Sequence, residues 1–135
     1  MQELTIAAMI DNIPVVTQFV DDLLEEAGYP LKAQMQIDVA IDEVFSNIAL
    51  YGYQENGGEA TVQVSFLQEP ACVCVTFIDS APAYNPLAKE DPDVSLSAEE
   101  RKIGGLGIYI VKKTMDSVSY EYRDGKNMLT IRKNR

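Results

Sequence analysis

Three glycines placed just before an apolar periodic run, Gly104, Gly105 and Gly107 in GGLGIYIVKKTMD, are the clearest sign of chemistry in this chain. Glycine lets backbone N–H groups come close to an anion, and a helix N-terminus adds about half a positive charge. Arg101 and Lys102, immediately upstream, are cationic donors suited to phosphate. A glycine-rich turn beside a solvated charge pair would read the same way. Asp79 ends an apolar run, where a carboxylate can accept a hydrogen bond from a ligand held over a sheet or can simply form a turn. The third group lies in DVAIDEVFSNIALYGY, Asp38 to Tyr53: Glu43, Asn47 and Tyr51 recur at i, i+4 and i+8. On a helix this row flanks the apolar stripe of Ile37, Ile41, Val44 and Ile48, so an acid and an amide sit at the edge of the core. Charge there calls for a partner, although a polar boundary position has the same spacing. Solvated charge belongs on the far face, where Asp38 and Asp42 point.

These groups need elements to position them. Leu4 to Ile10 alternates as a first strand, and Asp11-Asn12-Ile13-Pro14 predicts a side-chain cap with proline in the first helical turn. Val15, Val16, Phe19, Val20, Leu23 and Leu24 carry that helix to Gly28 and Pro30, and Leu31 opens the long second helix. Thr61 to Leu67 and Ala71 to Ile78 are strand-like and predicted to pair antiparallel. Ser80 to Ile103, with Pro82, Pro86 and Pro92, is longer than most loops in a compact domain and reads as a lid. A helix then follows the glycines through Ile108, Val111 and Met115. Val118 to Tyr122 and Met128 to Arg132 form strands joined at Asp124-Gly125, giving βααββ, lid, αββ in one domain over 1–135.

Composition narrows the function. A chain of 135 residues with 47% hydrophobic and 24% charged residues supports one core without stapling. The formal charge of -10 disfavours direct contact with nucleic acid or an anionic membrane. There is no histidine, which argues against zinc sites and Ser-His or Cys-His catalysis. Cys72 and Cys74, two apart in one run, share a strand face too far apart for an unstrained disulfide. With no signal peptide and no apolar run of ~18 residues, the expected location is cytoplasmic.

Taken together, E-x-x-x-N (Glu43, Asn47), D-x-x-x-x-Y-N-P (from Asp79) and R-K-I-G-G-L-G-I (from Arg101) resemble the N, G1 and G2 boxes of the GHKL ATPases, and specifically the bacterial anti-sigma factor serine kinases. The resemblance runs from the first strand to the NMLTIRK ending. It implies a Bergerat-type α/β two-layer sandwich, a mixed, mostly antiparallel sheet with three helices on one face. ATP and Mg²⁺ are the implied cofactors. Glu43 matches the catalytic base, Asn47 the magnesium ligand and Asp79 the carboxylate that receives the adenine amino group. Arg101, Gly104, Gly105, Leu106 and Gly107 match the phosphate-binding region, and residues 80–103 the ATP lid. Ala81 stands where the G1 box usually has glycine, so its methyl is expected to crowd the backbone approach to adenine. Tyr51 stands where many relatives have histidine, and Met128 near a nucleotide-contacting threonine.

The implied function is a serine/threonine-protein kinase that phosphorylates a STAS-type anti-anti-sigma protein and alternately holds a sigma factor, as a possible homodimer. The alternative is a nucleotide-regulated binding module of the same fold. A detached histidine-kinase catalytic domain is less favoured, because it needs a phosphoacceptor helix that has no counterpart in this sequence.

Overall fold

The computed structural model describes residues 1–53, 57–69, 71–88 and 105–135, with side chains in the last stretch from residue 107 onward. Its elements are β1 (Gln2–Ala7), α1 (Ile13–Glu26), α2 (Leu31–Asn47), β2 (Glu59–Gln68), β3 (Ala71–Asp79), α3 (Gly105–Thr114), β4 (Ser117–Arg123) and β5 (Lys126–Asn134). The strands form one sheet in the order β1-β2-β3-β5-β4, and every described pairing is antiparallel. The expected order of elements and the β2–β3 pairing are therefore observed, in a sheet that needs no parallel pair among the described strands.

Strand alternation sorts the two faces. Val62 and Val64 from β2, Val73, Val75 and Phe77 from β3, and Leu129 and Ile131 from β5 are buried under the helices. The opposite face carries hydroxyl pairs: Thr5 with Thr61 at 2.8 Å and Thr76 with Thr130 at 2.9 Å. α2 is the central helix, in contact with both α1 and α3. Its buried set is wider than one stripe: Ala33, Ala40 and Phe45 join Ile37, Ile41 and Val44. Cys72 and Cys74 are both free.

The hairpin α1–α2 ends its first helix with paired bonds, Tyr29 N to Leu24 O and Gly28 N to Glu25 O, both 3.0 Å. Gly28 has φ 80, the left-handed turn that glycine accepts without strain. The start of α1 differs from expectation. The Asn12 side chain makes no cap; its Nδ2 donates instead to Ala7 O at 2.8 Å, tying the helix start to the end of β1. β1 accordingly stops at Ala7 rather than Ile10, and residues Ile10–Asn12 form a 3-10 turn. At the β4–β5 hairpin Asp124 and Gly125 have φ 56 and 77, a two-residue turn whose twist suits antiparallel strands.

The expectation for Asp38 is corrected. Asp42 is exposed, but Asp38 is only partly so, and an oxygen of Asp38 and one of Asp21 on α1 are buried without a hydrogen-bond partner. Packing of α1 against α2 turns this part of the far face into an interface. Burial first, and then Asp21, push the Asp38 carboxyl up to about 7.

Candidate functional site

α2 ends at Asn47 and passes into a π turn, Ile48–Gly52. The wider turn breaks the i, i+4, i+8 row. Glu43 and Asn47 remain neighbours, with Asn47 Nδ2 donating to Glu43 Oε1 at 3.3 Å, while Tyr51 is 51% exposed and outside the cavity lining. The π turn also brings Gly52 under the residue after β3. A Cβ placed on Gly52 would lie 3.3 Å from the Ala81 Cβ.

A cavity forms between the C-terminal part of α2, the ends of β3 and β5, and the segment after Asp79. Val44, Asn47, Asp79, Tyr84, Ile108 and Asn127 are among its lining residues. The open space is about 40 Å³, room for only a few waters and well below the roughly 300–1,000 Å³ of a small-ligand pocket. Its walls are largely apolar, with polar groups at a few points, the composition expected of a ligand site.

Asp79 is 7% exposed, as is Asn127, its partner across the β3–β5 ladder. Asp79 Oδ1 accepts from Ala81 N at 3.0 Å and from Asn127 Nδ2 at 2.9 Å. The same Nδ2 reaches Ala81 O at 3.1 Å and Pro82 O at 3.2 Å. Asn127 Oδ1 accepts from Tyr84 N at 3.1 Å and from the Tyr120 hydroxyl. Burial raises the Tyr120 hydroxyl above its ordinary value, which keeps it a donor. A second anchor holds the strand end: the Tyr53 hydroxyl accepts from Ser80 N at 2.8 Å and donates to Glu59 O at 2.7 Å.

Next to the lining residues Asn47 and Ile108, Gly107 in the first turn of α3 faces Glu43. A Cβ built on Gly107 would fall on the Glu43 carboxylate, so a side chain here would have to displace the end of Glu43. A carboxylate against the start of a helix is also favourable to the helix dipole.

The sequence-predicted residues therefore divide. Glu43 and Asn47 are adjacent on α2, Asp79 and Asn47 line one cavity, and Gly107 lies against Glu43. Gly105 opens α3 with Leu106 next to it. Arg101, Gly104 and most of the expected lid lie outside the described residues. Ala81 is buried, its methyl beside Gly52, and it is not among the lining residues of the cavity. Met128 is on the other face of the sheet, next to Thr76 and Thr130. The residue that faces the cavity from this part of β5 is Asn127. Sequence reasoning passed over it, and over Tyr120. The signal was available: Asn127 precedes Leu129 and Ile131 in an alternating strand, which puts a carboxamide in the inward row, where it must find partners.

Mg²⁺ takes oxygen ligands and usually keeps water and substrate phosphates around it. The Asn47 carboxamide, whose Nδ2 is turned to Glu43, has an oxygen of the right type. Among the described residues no group of three or more Cys, Asp or Glu side chains gathers to hold an ion by itself.

Comparison with known proteins agrees with this geometry. The family model described as the histidine kinase-like ATPase domain matches residues 6–133. The chain is 26% identical over 100 residues to the serine/threonine-protein kinase BtrW of Bordetella bronchiseptica, covering 74% of this chain and 70% of that one. It is 22% identical over 131 residues to the serine-protein kinase RsbW of Bacillus mycoides, covering 94% and 81%. A chain in the crystal structure of the SiaB-SiaC complex from Pseudomonas aeruginosa shares the fold with a TM-score of 0.57 at 16% identity, over 96% of this chain and 88% of that one. With a family model spanning nearly its whole length and a site built from the ends of α2, β3, α3 and β5, this chain belongs to the histidine kinase-like ATPase domain family.

Proposed function

We propose that this protein is an ATP-dependent serine/threonine-protein kinase of a partner-switching circuit, which phosphorylates a STAS-type anti-anti-sigma protein and, when that antagonist is phosphorylated, holds a sigma factor as a homodimer. The observation that supports this most is the meeting of Glu43 with the first turn of α3 at Gly107, one helical turn from Asn47, whose cavity Asp79 also lines. The names of the relatives, serine-protein kinases, point the same way.

In this reading Asp79 accepts the adenine amino group and the start of α3, with Gly104, Gly105, Leu106 and Gly107, faces the phosphates. Arg101 supplies a donor to them. Glu43 takes the proton of the incoming serine hydroxyl as its oxygen attacks the terminal phosphorus, and ADP leaves with the electron pair of the broken P–O bond. The Asn47 oxygen would hold Mg²⁺, which would neutralise charge between the phosphates and the helix. Tyr84 and Pro86 line the narrow cavity, so a base enters as they move outward.

Incubation with radiolabelled ATP, Mg²⁺ and a STAS protein encoded beside this chain tests the reading. Phosphoserine on the STAS protein is expected. Nucleotide-dependent capture of that protein without phosphoserine would replace the kinase with a binding module of the same fold.

A further inference from the structure

We propose that Asn127 is a positioning residue that couples the orientation of the Asp79 carboxylate to the backbone of residues 81–84, so that the base-reading group and the segment following it are set by one carboxamide. This rests on the nucleotide reading of the cavity given above.

A carboxamide has two N–H donors and one oxygen with two lone pairs. In Asn127 all of these are spent inside the chain. The nitrogen serves Asp79 Oδ1, Ala81 O and Pro82 O, and the oxygen serves Tyr84 N and the Tyr120 hydroxyl. With its donors and acceptor engaged inside the chain, Asn127 is placed to act through Asp79. No other side chain type meets these demands. A hydroxyl has one proton for three acceptors, and a carboxylate would set oxygen against Asp79 Oδ1 and two carbonyls. Oδ1 of Asp79 is held by Ala81 N as well, so two donors restrain the carboxylate of a residue that lines the cavity. At 7% exposure for both residues, water is a poor substitute for either partner.

The coupling follows from the shared hub. Displacing Tyr84, as base entry requires, pulls on Asn127 Oδ1, and any rotation of that carboxamide withdraws the donor from Asp79. The titratable groups facing position 127 are Asp79 from β3 and, from β4, the Tyr120 hydroxyl and Tyr122, the cross-strand partner of Asn127, while Lys126 turns away to Ser80 Oγ at 3.3 Å.

The full chain with Asn127→Asp gives the sharpest test, because shape is kept while the donor is lost and a charge is gained. At pH 8 two carboxylates face each other, and the dissociation constant for ATP, read by calorimetry, is expected to rise at least tenfold. At pH 5.5 one shared proton restores a donor between them, so binding should recover toward wild type. Wild type, measured beside it, should vary by less than threefold over the same range. Asn127→Ala should bind weakly at both pH values. Hydrogen exchange without nucleotide supplies a readout independent of ATP: the Tyr84 amide should exchange at least tenfold faster in Asn127→Ala, with Val62 unchanged. Tyr120→Phe, which keeps the ring, should show a smaller increase at Tyr84 and serves where the Asn127 variants fail to fold. If wild type fails to bind ATP, the nucleotide reading falls, while Tyr84 exchange still decides the backbone half of the coupling. Unchanged Tyr84 exchange in the variants, or weak ATP binding by Asn127→Asp at pH 5.5 equal to that at pH 8, would overturn the proposal.

Discussion

At the sheet end of the cavity Asp79 and Asn127 are opposite each other in a strand ladder and tied by hydrogen bonds to the backbone of residues 81–84. At the helix end the Glu43 carboxylate accepts from Asn47 Nδ2 at 3.3 Å and fills the space that a side chain at Gly107 would need. The first arrangement is specified by bond geometry and resists small movement. The second depends on how closely α2 and α3 approach, and α3 follows directly on the expected lid. Substitutions should separate along the same line, with affinity governed at the sheet end and turnover at the helix end.

The largest effects are expected at Glu43. Glu43→Ala should retain ATP binding and lower phosphorylation of the STAS partner by about 10²- to 10⁴-fold, the usual worth of a positioned general base. Gly107→Ala should mimic it from the other side, since the new methyl must displace the Glu43 carboxylate. Its melting temperature should fall together with activity. A Gly107→Ala protein with wild-type turnover would break the steric half of the comparison.

Asp79→Asn should act on affinity first. For wild type, ATP at ~100 times its dissociation constant stabilises by about 2.7 kcal/mol, a shift that thermal melts resolve. In Asp79→Asn this shift should shrink at the same ATP concentration. Ala81→Gly, one step away, should cost only about 1–2 kcal/mol of stability, from a lost buried methyl and a more flexible backbone, with little change in ATP affinity. Tighter ATP binding by Ala81→Gly would show instead that the methyl beside Gly52 restricts the base.

Much of this architecture was legible from periodicity. The apolar rows of α1, α2 and the strands are core-forming patterns, and the Asp124-Gly125 hairpin has a turn sequence with a mechanism. The helix end of the site was legible because Glu43 and Asn47 are local to one helix. What sequence did not reveal depended on tertiary partners. Asn12 gives up its cap for Ala7 O, a choice visible only once β1 is in place. The π turn removes Tyr51 from its row because the chain must reach Gly52 beneath Ala81. Asn127 is the instructive miss, since strand alternation alone put it inward, yet its five partners come from β3, β4 and the segment after Asp79.

The smallest effect concerns the other side of α2 and serves as a control for the cavity. The Asp38 carboxyl, raised from its ordinary 3.8 to about 7, binds its proton more tightly in the folded chain than in the unfolded one. Its contribution to stability is therefore complete below about pH 4 and declines as pH rises, disappearing as pH passes about 7. Wild type should lose stability between pH 5 and pH 8. Asn at this position carries a permanent donor toward Asp21 and no charge, so Asp38→Asn should flatten the profile and be the more stable protein at pH 8. Because the site is partly exposed and screened, the gain should be roughly 1 kcal/mol, a rise of about 3–5 °C in Tm. ATP affinity should be unaffected, because Asp38 faces α1 rather than the cavity. Parallel pH profiles for Asp38→Asn and wild type would place the titrating group elsewhere, and a changed ATP affinity would tie the two sides of α2 together.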